Sequence, residues 1–78
     1  MNRVAIVTGG AKPDSIGFAV AKGLRREGCE VVVGDLYEQG FAALADCLCV
    51  KTDVADPAAV EAQVSRTIQA HGRIDILV

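Results

Sequence analysis

The stretch Val4 to Gly17, VAIVTGGAKPDSIG, constrains the chain more than any other, because an apolar run ends in Thr-Gly-Gly and passes through a short polar loop into a helix. Val4-Ala5-Ile6-Val7 is rich in β-branched residues and lacks polar alternation, which is how a central parallel strand reads when helices cover both of its faces. Gly9 and Gly10 permit a turn of positive φ and let the backbone come close to a ligand. Past the loop, Ile16, Val20 and Leu24 recur at i, i+4 and i+8 with Ala19 and Ala21 beside them. That spacing predicts the apolar face of an α-helix, with Ser15 or Asp14 as its N-cap. Strand, glycine turn and helix N-terminus in that order make an anion site, since unpaired backbone N–H groups and the positive dipole end point at one spot. A dinucleotide pyrophosphate is the natural ligand.

The rest of the chain repeats the alternation. Arg25-Arg26-Glu27-Gly28 closes the first helix, with cations in its last turn and a glycine where a left-handed residue is wanted. Glu30 to Asp35 predicts a second buried strand, Gln39 to Ala45 a short helix, and Leu48 to Lys51 a third strand. Asp56-Pro57 opens another helix, an N-cap acceptor followed by proline. Val60, Val64 and Ile68 give it an apolar stripe, it ends near His71 with Gly72 beyond, and Ile74 to Val78 begins a fourth strand. The pattern β-α-β-α-β-α-β predicts an α/β fold: a parallel sheet of strand order 3-2-1-4 with helices on both faces, the first two helices on one and the Asp56 to His71 helix on the other. Reversal of the winding between strands three and four opens a crevice at the C-terminal ends of strands one and four.

Two carboxylates fall where that crevice needs them. Asp35 ends the second strand, 26 residues after Gly9, close to the usual spacing between a glycine turn and the acid that holds an adenosine ribose. Such a carboxylate accepts the 2′- and 3′-hydroxyls and repels a 2′-phosphate, at a cost of up to roughly 4 kcal/mol for one charge pair at ~4 Å. NAD(H) is therefore favoured over NADP(H), although Lys12 in the loop pulls the other way. Asp53 follows the third strand, near the expected adenine ring, where it reads either as an acceptor for the adenine amino group, with Val54 contributing backbone, or as a turn former.

Composition excludes several classes. Seventy-eight residues, 51% hydrophobic with a net charge of −2, make at most one domain, and one that buries only about 60% of its unfolded surface. The basic residues are scattered rather than striped, which argues against nucleic acid. No apolar run approaches the roughly 20 residues of a membrane span, and Met1-Asn2-Arg3 does not open a signal peptide. Three cysteines without Cys-x-x-Cys spacing suggest reduced thiols and a cytoplasmic protein. Cys47 and Cys49 read as small buried hydrophobes on one strand face, and a metal site would need more ligands than the single histidine, His71, supplies.

Thr8-Gly9-Gly10, Gly34-Asp35-Leu36, Thr52-Asp53-Val54 and Gly72-Arg73-Ile74-Asp75-Ile76-Leu77-Val78, in that order and spacing, resemble the short-chain dehydrogenase/reductase family. The resemblance covers the whole chain but only the opening, cofactor-binding part of a member. It implies a Rossmann-type domain of which residues 1–78 form the N-terminal part, cut within the fourth strand, and a full-length homodimer or homotetramer. It also implies NAD(P)-dependent hydride transfer between a nicotinamide and a carbonyl or alcohol. Carried over residue by residue, Gly9, Gly10, Ser15, Ile16 and Gly17 would contact the pyrophosphate or nicotinamide side, Asp35 and Leu36 the adenosine ribose, and Asp53 and Val54 the adenine.

Two departures qualify it. The glycine loop is two residues longer than the family's usual Thr-Gly-x-x-x-Gly-x-Gly, with Ser15 in place of the middle glycine, and looks more like the enoyl-acyl-carrier-protein reductase branch. The family's catalytic Ser, Tyr-x-x-x-Lys and Asn are not identifiable, since Tyr37 is the only tyrosine and Phe41 stands four residues on. The chain is therefore expected to bind NADH weakly and to turn nothing over, with the substrate read by segments outside it. A non-catalytic dinucleotide-binding module is the alternative, and an S-adenosylmethionine-dependent methyltransferase, which also carries a glycine loop and an acid after strand two, fits less well. A four-stranded sheet with a single helix on one face should leave apolar surface uncovered, giving an aggregation-prone or partly molten fragment.

Overall fold

The computed structural model describes residues 2–78. In chain order it contains β1 (Val4–Thr8), α1 (Ile16–Arg26), β2 (Glu30–Asp35), a 3₁₀ helix (Glu38–Leu44), β3 (Leu48–Lys51), α2 (Pro57–His71) and β4 (Ile76–Leu77). The four strands form one sheet in the order β3-β2-β1-β4. Every pairing is parallel, with Val4 opposite Glu30, Val32 opposite Leu48 and Ala5 opposite Ile76.

Alternation along the strands sorts the layers. Ala5, Val7, Val31 and Val33 point to the side of α1 and the 3₁₀ helix, where they form a core with Ala21 and Leu44, flanked by Phe18, Val20, Leu24 and Phe41. On the opposite side, α2 packs over β2, and Gln63 lies directly against Gly34. The predicted strand order and distribution of helices are those observed.

Local chemistry sets the boundaries. Ser15, in extended backbone, caps α1 by accepting the N–H of Phe18 at 3.1 Å. Asp56 caps α2 through the N–H of Ala58 at 3.0 Å, ahead of proline at the first helical position. Gly72 ends α2 with a φ of 80°, its N–H donating to Ile68 O at 2.8 Å.

Four expectations need correction. The segment assigned to Gln39 to Ala45 is a 3₁₀ helix starting one residue earlier, with the Gly40 N–H bonded three residues back to Tyr37 O at 3.2 Å. A mid-segment glycine weakens an α-helix, and the carbonyl of Ala11 presses on Gly40 where any Cβ would overlap it, so the short turn follows the loop it supports. Ile16 does not join the core face of α1: it is 85% exposed at the helix entrance, while Ala21 is buried. In α2 the predicted stripe of Val60, Val64 and Ile68 is left exposed, whereas Gln63 and Thr67 are buried against the sheet. The two sets lie three residues apart, about 60° of rotation, and Gly34 supplies the space that a long side chain at Gln63 occupies. Finally, β4 proper is Ile76–Leu77 rather than Ile74 to Val78, though Asp75 N–H donates to Val4 O and Val78 N–H to Ile6 O on either side of it.

Candidate functional site

At the C-terminal ends of β1, β2 and β3 lies a cavity of about 220 Å³. Of the sequence-predicted site residues, Gly9, Asp35, Leu36, Asp53 and Val54 line it, together with Thr8, Gly34 and Thr52. Gly10, Ser15, Ile16 and Gly17 stand outside that lining and build the loop and helix entrance beside it. Larger hollows, of about 790 and 520 Å³, sit at the other end of the sheet around Asn2. They lie at the N-terminal ends of the strands, away from the glycine turn, so size alone does not locate the chemistry.

The glycine turn is built by close approach. Gly9 has a φ of 71°, and its N–H donates to Gly34 O at 2.8 Å, pinning the turn to β2. A Cβ on Gly17 would stand 2.8 Å from Gly9 O and 3.1 Å from Gly10 Cα, so the first turn of α1 reaches the loop only because residue 17 has no side chain. Ser15 works three ways: its N–H donates to Lys12 O at 2.9 Å, its hydroxyl donates to the same carbonyl at 2.7 Å, and its oxygen accepts the Phe18 N–H. Two of the donors at the start of α1 are thus used. The N–H groups of Ile16 and Gly17, which lack helical partners by geometry, remain for an anion.

Asp35 is held rather than free. Its Oδ2 accepts the Ala11 N–H at 3.0 Å and its Oδ1 the Tyr37 N–H at 3.1 Å. An ionised carboxylate offers about four acceptor sites, so roughly two stay open. Asp53 proves to be a turn former that also lines the cavity: its Oδ1 accepts the Ala55 N–H at 2.9 Å, and its carbonyl accepts the Asp56 N–H at 2.9 Å.

Two supports were not assigned roles from sequence. The hydroxyl and N–H of Thr8 both donate to Val78 O at 3.0 Å, bolting the end of β1 to the chain after β4. Asp75 Oδ2 accepts the Val4 N–H at 2.8 Å, while its Oδ1 takes Arg73 Nη2 at 2.6 Å and Nε at 3.1 Å. The Arg73 hydrogen bonds, then that of Val4, hold the Asp75 carboxyl below the usual carboxylate range, and Asp75 in turn raises Arg73. An acid one residue before an apolar strand was the available signal, and it reads equally well as a solvated loop residue. Among the described residues no group of three or more His, Cys, Asp or Glu could hold a metal, and no helix is long and apolar enough to cross a membrane.

Comparison with known proteins gives this geometry relatives. Residues 9–78 match the family model described as enoyl-(acyl carrier protein) reductase. The chain is 33% identical to a peroxisomal 2,4-dienoyl-CoA reductase of Danio rerio, across 99% of this chain and 28% of that protein. It superposes with a TM-score of 0.88 at 30% identity on a 3-ketoacyl-(acyl-carrier-protein) reductase from Brucella melitensis complexed with NADH, covering 96% of this chain and 32% of the other. A short-chain dehydrogenase/reductase from Burkholderia phymatum in complex with NAD superposes with a TM-score of 0.86 at 28% identity, over 97% of this chain and 29% of its own. The chain thus spans about a third of the length of the proteins it matches. With the family model matched over residues 9–78 and oxidoreductase relatives matched along nearly its whole length, the chain belongs to the short-chain dehydrogenase/reductase family.

Proposed function

We propose that residues 1–78 are the cofactor-binding portion of an NAD(H)-dependent oxidoreductase that moves hydride between the nicotinamide and a carbonyl or alcohol. The observation that carries this reading is the convergence of the Gly9 turn, the open N–H groups at the start of α1 and the fixed Asp35 carboxylate at the C-terminal end of the sheet. In that pose Gly9, Gly10, Ser15, Ile16 and Gly17 take the pyrophosphate and the nicotinamide side, Asp35 and Leu36 the adenosine ribose, and Asp53 and Val54 the adenine. The 220 Å³ cavity is smaller than the roughly 300–1,000 Å³ of a whole-ligand pocket and suits the adenosine half. When bound, the nicotinamide supplies the hydride; these residues bind and orient it. Asp35, with acceptors and negative charge at the ribose, favours NAD(H) over NADP(H).

The fragment's part in the chemistry is binding. Its only tyrosine, Tyr37, has Phe41 rather than lysine four residues on, so proton transfer belongs to residues beyond these 78. The whole protein is read as a cytoplasmic homodimer or homotetramer. Reduction of an enoyl thioester is the second reading, favoured by the long Gly9 to Gly17 loop and the description of the matching family model. Calorimetric titration with NADH, NADPH and S-adenosylmethionine tests the cofactor: NADH should bind most tightly, and preference for S-adenosylmethionine would end the oxidoreductase reading. For the full-length enzyme, NADH oxidation with an enoyl thioester but not with a ketone would select the second reading over the first.

A further inference from the structure

Asp35 closes a ring of contacts that no ribose is needed to explain. Its Oδ2 holds the Ala11 N–H at 3.0 Å, the Ala11 carbonyl lies on Gly40 with no room for a Cβ, the Gly40 N–H bonds Tyr37 O at 3.2 Å, and the Tyr37 N–H returns to Asp35 Oδ1 at 3.1 Å. Ala11 is fully buried inside this ring, and it directly follows Gly10, against which the first turn of α1 packs. We propose that the ring fixes the shape of the glycine loop before cofactor arrives. In this scheme Asp35 is a latch as well as a ribose acceptor, and Gly40, which lies outside the cofactor pose described above, is a positioning residue for the pyrophosphate cradle.

The physical reason is preorganisation. The loop from Gly9 to Gly17 carries two extra residues, and Lys12, Pro13 and Asp14 within it are exposed, so it needs an anchor midway between its ends. Gly9 N–H to Gly34 O ties the first end and the Ser15 cap ties the last. Between them, the Ala11 N–H is bonded by Asp35 at the end of β2 and the Ala11 carbonyl packs against Gly40 of the 3₁₀ helix. Ordering the loop in advance lowers the conformational entropy that binding would otherwise cost.

The inference rests on the crevice binding NAD(H), and its test separates the two. Amide exchange is measured on the cofactor-free protein, with NADH and adenosine titrations beside it. In the wild type the Ala11 amide should be protected, and Asp35→Ala should speed its exchange and that of Tyr37 at least tenfold. Gly40→Ala keeps the carboxylate but displaces the Ala11 carbonyl. It should raise the Kd for NADH at least fivefold while adenosine, which reaches only the ribose and adenine end, binds as it does to the wild type. Gly23→Ala, where a Cβ meets nothing within 4 Å, should change neither. Equal exchange of Ala11 in wild type and Asp35→Ala, or unchanged NADH binding by Gly40→Ala, overturns the latch. Parallel loss of NADH and adenosine would reduce Gly40 to a folding residue and overturn it equally. Protection of Ala11 in a wild type that binds no NADH would instead support the latch and remove the cofactor reading.

Discussion

Asp35 stands at the end of β2, lines the cavity and has two of its acceptor sites filled by backbone. Charge-assisted hydrogen bonds of this kind contribute about 1.5–3 kcal/mol each, and 1.4 kcal/mol is tenfold in affinity. Asp35→Ser should therefore weaken NADH by about tenfold or more while tightening NADPH, as read by fluorescence titration; an unchanged ratio of the two affinities would place the ribose elsewhere. Ser15 makes a different point. The sequence offered Ser15 or Asp14 as N-cap, two short acceptors before an apolar helix, and the structure selects Ser15; Ser15→Ala should cost about 1 kcal/mol in denaturant unfolding while Ser15→Gly costs a few tenths. Cys47 could be read only as a small hydrophobe. Burial, and then the neighbouring Asp46 carboxylate, push its thiol up to about 11, so its alkylation rate should be negligible at neutral pH and climb as pH approaches that value. Rapid modification of Cys47 at pH 7 would contradict its half-buried position beside Asp46.

At the scale of elements, periodicity located both long helices and the strands, since capping residues and β-branched runs act locally. It did not fix how each helix is rotated on the sheet. That depends on which strand residue lies beneath, and Gly34 under Gln63 is a tertiary fact. The same holds for β4, where the apolar run was visible but the clamp was not: Asp75 joins the strand's approach to the Val4 N–H and to Arg73. Because the folded-state pKa of Asp75 is depressed below 3.8, its contribution is present above the unfolded pKa and disappears as pH falls through the folded value. Asp75→Asn should thus lower Tm at pH 7, with the gap to wild type closing below about pH 4; a gap that persists at pH 2 would show that the lost interaction is not ionic. Gly17→Ala, which drives a Cβ into Gly9 O, should weaken NADH and lower Tm together, whereas Gly23→Ala should do neither.

For the molecule as a whole, the parallel sheet and its order followed from the alternation of strands and helices. The reversal of winding pointed to a crevice at the ends of strands one and four, whereas the cavity beside the glycine turn is lined from the ends of β1, β2 and β3. What alternation does not show is how much apolar surface remains. Val60, Val64 and Ile68 along α2, with Leu77 and Val78 at the β4 edge, are exposed by 37% to 74%. The isolated 78 residues should therefore bind a hydrophobic dye, and a monomer that leaves the dye unbound would contradict that expectation. Titrating NADH into isotopically labelled protein and following backbone amides tests whether the C-terminal ends of β1, β2 and β3 form a nicotinamide dinucleotide site. The shifts should concentrate at Gly9, Gly10, Ile16, Gly17, Asp35 and Asp53. Shifts concentrated instead around Asn2, His71 and Arg73, at the larger hollow on the opposite end of the sheet, would contradict it.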